Sequence, residues 1–205
     1  MHFGRSTGPL AHSLLAVLAL SAGPTIASAQ SHDNHAAGAV SQPHRPTREE
    51  SALAGAVRDA TVRFKNVTSV DGPGEDYKLM FGCVSGGDFG AMGLHYVNMG
   101  LVDGDINVNQ PEIILFEPRP NGRIRITGVD FLVPVAAWEE KHPGEGPPQL
   151  MGQLFHLFDS PNRFGLDPFY TLHVWAWKDN TNGTFVNWNP DVSCDAFNQV
   201  ETTAP

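Results

Sequence analysis

FYTLHVWAWKDNTNGTFVNWNPDVSC, Phe169 to Cys194, is the stretch whose reading decides the fold. It holds three of the four tryptophans, a histidine inside a strand pattern, an Asn-Gly pair and one of two cysteines. Phe169 to Trp177 is rich in β-branched and aromatic residues, which fit a pleated surface. Side chains alternate along a strand, so Phe169, Thr171, His173, Trp175 and Trp177 share one face and Tyr170, Leu172, Val174 and Ala176 the other. Both faces are largely apolar, which predicts a central strand covered on both sides. Asn182-Gly183 then marks a tight turn.

Upstream, the same period recurs in short runs. Pro111–Pro118 and Arg123–Val133 flank Pro120-Asn121-Gly122, a hairpin signal. The apolar set of the second run shifts by one at Gly128, which predicts a β-bulge there. Tyr77–Phe81, Leu94–Asn98 and Gly152–Phe158 read as further strands. The glycine-dense Gly82–Gly93 reads as a flexible loop. It lacks the spacing of a dinucleotide or phosphate loop. Val135–Lys141 reads as one or two helical turns. The strongest helix is Thr47–Lys65, where Thr47 and Glu50 form a capping box and Leu53, Ala56, Val57, Ala60 and Phe64 form one apolar stripe. The expected class is mainly β: an antiparallel barrel or sandwich with an N-terminal helix packed on the outside.

The termini set the compartment. Arg5, the apolar run Leu14–Leu20 and Ala27-Ser28-Ala29 have the order of a secretory signal peptide over residues 1–29. The apolar run is too short to span a bilayer. Residues 30–46 are polar and read as a disordered tether, in which His32, His35 and His44 are solvated. A single β-rich domain is expected over 47–195 and a tail over 196–205. The leader carries one arginine and no acid, so its removal takes the formal net charge from −9 to −10. That acidity speaks against a nucleic-acid partner, which wants a basic stripe. It offers no basic handle to an anionic membrane either. With export, Cys83 and Cys194 are expected to form a disulfide.

Several blocks carry a resemblance. MGLHYVN (Met92–Asn98), PEIILFEP (Pro111–Pro118), GRIRITGVDFLVP (Gly122–Pro134), GQLFH (Gly152–His156) and LHVWAWKDNTNGTFVNWNPDVSC (Leu172–Cys194) resemble a family of uncharacterised secreted bacterial proteins, in which a short helix precedes a β-rich domain. The resemblance covers roughly Ala52–Cys194. It implies one folded domain, export and the two cysteines, and it implies no reaction.

Chemistry is sought among polar residues placed in strands. His95, His156 and His173 each fall mid-strand among apolar neighbours, where an unpartnered imidazole is costly. Glu112 and Glu117 fall in one strand on opposite faces, and Glu117 is the one expected to join the histidines. Three histidines and a carboxylate are ligands for zinc, iron, manganese or copper. The His-x-His of a cupin is absent, because Val97 follows His95 at that spacing. No Gly-x-Ser-x-Gly, HExxH or calcium-loop pattern occurs. Tyr96, Phe155, Trp175 and Trp177 are candidates to line an apolar pocket for a small molecule. Two functions follow: a metal-binding protein or metal-dependent enzyme using His95, His156, His173 and Glu117, or a non-catalytic ligand-binding or structural domain without metal.

Overall fold

The computed structural model describes residues 46–197 apart from 71 and 73. The leader, the tether up to position 45 and the tail beyond 197 lie outside the described residues. Helix α1 (Arg48–Thr61) begins at the expected capping box: Glu50 N–H donates to Thr47 Oγ1 at 3.2 Å, and Thr47 N–H donates to Glu50 Oε2 at 2.6 Å. It buries Leu53, Ala54, Val57 and Thr61. The last turn expected of it tightens into a 3-10 turn, Val62–Lys65, which buries Phe64.

The strands follow as β1 (Lys78–Ser85), β2 (Ala91–Val97), β3 (Ile113–Pro118) and β4 (Ile124–Pro134). After helix α2 (Val135–Lys141) come β5 (Gln149–Leu150), β6 (Gln153–Leu154), β7 (His156–Phe158) and β8 (Phe169–Val174). Among the described residues six strands form one antiparallel sheet in the order β1-β2-β3-β4-β8-β7, and β5 pairs with β6 alone. The sheet curls into a half-barrel and stays open, with β1 and β7 as its edges. No helix among the described residues is long and apolar enough to cross a membrane.

The two sheet faces have different fates. One carries Leu94, Ile114, Phe116, Val129, Phe131 and Val174, which pack with Leu53, Val57 and Phe64 into the main core. Arg58 Nε donates to the Ala176 carbonyl, and Trp177 Nε1 donates to Thr61 Oγ1 at 2.9 Å, which stitches α1 to the end of β8. The other face carries His95, Val97, Ile113, Leu115, Asp130, Thr171 and His173, all buried.

Two bulges shape this second face. The expected one lies where Leu115 pairs with Gly128 but Phe116 with Ile126, leaving Thr127 as the extra residue. A side chain at Gly128 would collide with the Val174 carbonyl, so strands β4 and β8 close only around a glycine. The other lies in β1. Met80 pairs with His95 and Cys83 with Leu94, so Phe81 and Gly82 are both inserted, and both have a φ of 64°. A phenylalanine there is strained, at a cost of order 1–3 kcal/mol. Immediately beyond it, Cys83 is bonded to Cys194, as expected from the two cysteines.

Three elements differ from their sequence reading. Gly82–Gly93 is a hairpin rather than a free loop, because β1 continues to Ser85 and β2 starts at Ala91. Gly152–Phe158 is broken at Phe155, so β6 and β7 serve different sheets. Phe169–Val174 is buried on both sides, but it lies beside the edge strand β7 rather than mid-sheet. Its alternation stops at Val174. Ala176 N–H turns back to the Val174 carbonyl at 2.8 Å, and Trp177 swings to the helix side.

Candidate metal centre

His173 lies directly opposite Asp130 across the β4–β8 ladder, and Asp130 lies opposite Ile113. Opposed residues of an antiparallel pair share a face and meet. His95 lies in the next row, opposite Leu115, whose own partner on β4 is Gly128. Gly128 adds no side chain to that row, and the rings of His95 and His173 lie with their centroids 5.9 Å apart.

One ligand atom from each of His95, Asp130 and His173 can be chosen so that all lie within 4.8 Å of one another. The three residues are 4%, 5% and 2% exposed. Such a group could hold a metal ion. His95 Nδ1 lies 3.1 Å from the Gly93 carbonyl. A carbonyl only accepts, so Nδ1 carries the hydrogen and Nε2 keeps a lone pair. Burial, followed by the nearby His173, holds the His95 pKa down at about 4, so its ring is neutral at neutral pH. Burial alone would raise the Asp130 pKa. His173 and the Thr171 hydroxyl, which donates to Oδ1, outweigh it and hold the carboxyl below its ordinary range.

His173 is the least satisfied of the three. Its Nδ1 lies 3.2 Å from Asp130 Oδ2, close enough for an ion pair. The approach is too oblique for a hydrogen bond, and neither ring nitrogen has one among the described residues. A buried polar atom left so costs about 1–3 kcal/mol. The ring faces a small cavity of about 20 Å³, room for a single water-sized group. Asn187 lines the same cavity and also has a buried Oδ1 without a partner.

Aromatic residues form much of the cavity wall. The segment 159–168 runs from edge strand β7 back to β8 and crosses toward β1. Arg163 Nη2 donates to the Ser85 carbonyl at 3.0 Å. The Phe164 ring meets Phe81 edge-on at 5.5 Å and lies 6.2 Å from Phe169. The β1 bulge is what turns Phe81 inward to make that contact.

The residues singled out in the sequence are dispersed by the fold. His95 and His173 meet. His156 does not join them: it is exposed at the start of the three-residue edge strand β7. Glu117 is buried on β3, but both carboxylate oxygens are taken, Oε1 by Arg119 and Oε2 by Lys178, each at 2.8 Å. Tyr96, Phe155 and Trp177 pack on the helix side, Tyr96 edge-on to Phe116 at 5.1 Å. Trp175 is the one aromatic of that set near the centre, 5.9 Å from the His173 ring, and its Nε1 donates to the Val186 carbonyl. The third ligand candidate, Asp130, was not singled out in the sequence. Its signal was there: an acid inside the strand run VDFLV, where acids are disfavoured. Asn187 had no such signal.

Compared with protein-family models, with curated proteins and with solved structures, the chain matches none of them.

Proposed function

We propose that the protein is an exported member of the secreted bacterial family its sequence blocks resemble, and that it binds one divalent transition metal through His95, Asp130 and His173. The observation that carries this reading is His173. It is an imidazole with 2% exposure, with no hydrogen bond at either ring nitrogen, 3.2 Å from the Asp130 carboxylate and grouped with a second histidine. A metal ion satisfies all three groups at once. Two imidazoles and one carboxylate form the three-ligand set that leaves a coordination position open in zinc and non-haem iron sites. Manganese and copper accept the same donor types. Export is supported by the Cys83–Cys194 bond, which persists in oxidising compartments.

Elemental analysis of the chain purified without chelator tests this. The expected result is one equivalent of a transition metal, lost in His173→Ala and in Asp130→Ala. Retention of the metal in both variants, together with its loss when His32, His35 and His44 are replaced, would place it on the amino-terminal segment and sink the reading.

A further inference from the structure

The small cavity at the histidines adjoins a larger space and shares walls with it. Beside it, against the same sheet face, lies an apolar chamber of about 260 Å³. The two share Phe81, Ile113, Leu132, Leu166 and Phe169 as common walls. Beyond those walls the chamber is lined by Met80, Val97, Met99 and Val102, and its rim includes Asp167. Phe81 and Met99 are 43% and 60% exposed, so the chamber opens to solvent beside them.

We infer that this chamber binds a small neutral molecule with an apolar body and one hydroxyl head, the head reaching His173 and Asn187. The inference deepens the preceding reading and rests on it for the identity of the polar end. Size sets the body. The space is just under the 300–1,000 Å³ of pockets that enclose drug-sized ligands, and it holds on the order of ten non-hydrogen atoms. The walls set its chemistry, since apart from Asp167 at the rim they are apolar side chains. The inner cavity sets the head. It has room for one water-sized group, which excludes a carboxylate or phosphate by volume. In the metal-free chain the Asp130 carboxylate beside it also disfavours an anion. There a hydroxyl head can donate to Asn187 Oδ1 and reach a His173 ring nitrogen, neither of which has a hydrogen bond. Phe81 stands in both linings, at the strained bulge that Cys83 anchors, so passage between chamber and centre runs past its ring.

The experiment is a titration of 1-hexanol into the full exported chain, disulfide intact and stripped of metal by chelator. It is read by NMR at the methionine methyls and at the histidine rings. The expected result is one saturable curve, shared by Met80, Met99 and the His95 and His173 rings, with Met151 on the β5–β6 turn unmoved. Val102→Trp, which fills the chamber from its rim, should weaken that binding at least tenfold. Two results overturn the inference: methionines that never shift saturably, and methionines that do so while both histidine rings stay still. The titration needs no metal, so its outcome is separate from the metal analysis. Shared shifts in a chain that binds no metal would sink the metal reading alone. A metal-binding chain without them would sink this inference alone.

Discussion

The two faces of the sheet use the same strands for opposite ends. On the helix side, polar groups serve as stitching: Thr61 donates to the Val57 carbonyl and accepts from the Trp177 indole, and Tyr77 donates to the Pro111 carbonyl. Leu53, Val57, Phe64, Val129 and Phe131 are fully buried there. On the other side, a histidine with unpartnered nitrogens, a strained phenylalanine and an apolar space stand within one wall. A face optimised for stability alone would not leave these. Strain and unpartnered polar groups persist where the rest of the fold over-determines them, and they concentrate at working sites. The helix face is thus packed for stability, while the other face keeps strain and polar atoms without hydrogen bonds.

The largest test removes the stable face. Deleting residues through Lys65 uncovers the sheet and takes away Leu53, Val57 and Phe64, each worth about 1.5–3 kcal/mol of burial. The total rivals the 5–15 kcal/mol of a whole domain. Loss of cooperative thermal unfolding is expected, whereas deletion through position 44 should leave the melting curve unchanged. An unaltered midpoint in the longer deletion would break the comparison.

Next is the covalent tie beside the β1 bulge. Cys83 and Cys194 close a loop of 111 residues, for which chain entropy gives roughly 4–5 kcal/mol. Replacing both by serine should lower stability in urea by that order. Thiol titration of the unfolded, unreduced chain should find no free thiol among these two residues.

A matched pair of core substitutions then sets one face against the other. Phe131→Ala should cost about 3–5 kcal/mol, with metal stoichiometry retained. Asp130→Asn combined with His173→Leu in the metal-free chain should cost less than about 1.5 kcal/mol, because both members of a buried pair are removed together and no charge is stranded. The double variant should also abolish metal binding. Losses equal to that of Phe131→Ala would show that the histidine face is ordinary core.

The last test separates the two glutamates of β3 and its approach, and its effect appears only as pH rises. Glu117 is neutralised by Arg119 and Lys178. Glu112 is as deeply buried, has no ion-pair partner among the described residues, and accepts the Leu132 N–H at 3.1 Å. Burial, with the Asp130 and Asp103 charges adding to it, raises its pKa from 4.5 to about 8. The folded chain therefore holds this proton longer than the unfolded one. Below pH 4.5 the group costs nothing. Stability is lost as pH rises from there through about 8. Glu112→Gln keeps the acceptor and removes the titration. Its advantage over the parent chain should grow by about 4 kcal/mol between pH 4.5 and 8, measured by urea unfolding at each pH.

The sequence by itself determined what depends on neighbours along the chain. The capping box at Thr47, the apolar stripe on α1, the β3–β4 hairpin and the bulge at Gly128 are local patterns of period and turn chemistry, and each formed where it was read. Burial of both faces of Phe169–Val174 was legible for the same reason. Pairing of the two cysteines followed from their number and the leader-like terminus. Tertiary structure alone decided which polar residues meet. His95, His156 and His173 look alike as mid-strand histidines, yet sheet order puts β2 and β8 on either side of β3 and β4 and leaves β7 at the edge. His156 is thereby left exposed, while Asp130 enters because the register sets it opposite His173. Register and strand order are long-range properties, and a one-residue shift reverses every side chain. Glu117 and Trp177 show the same limit. One was captured by Arg119 and Lys178, and the other was turned across the sheet by the tight turn after Val174. No spacing along the chain encodes either event.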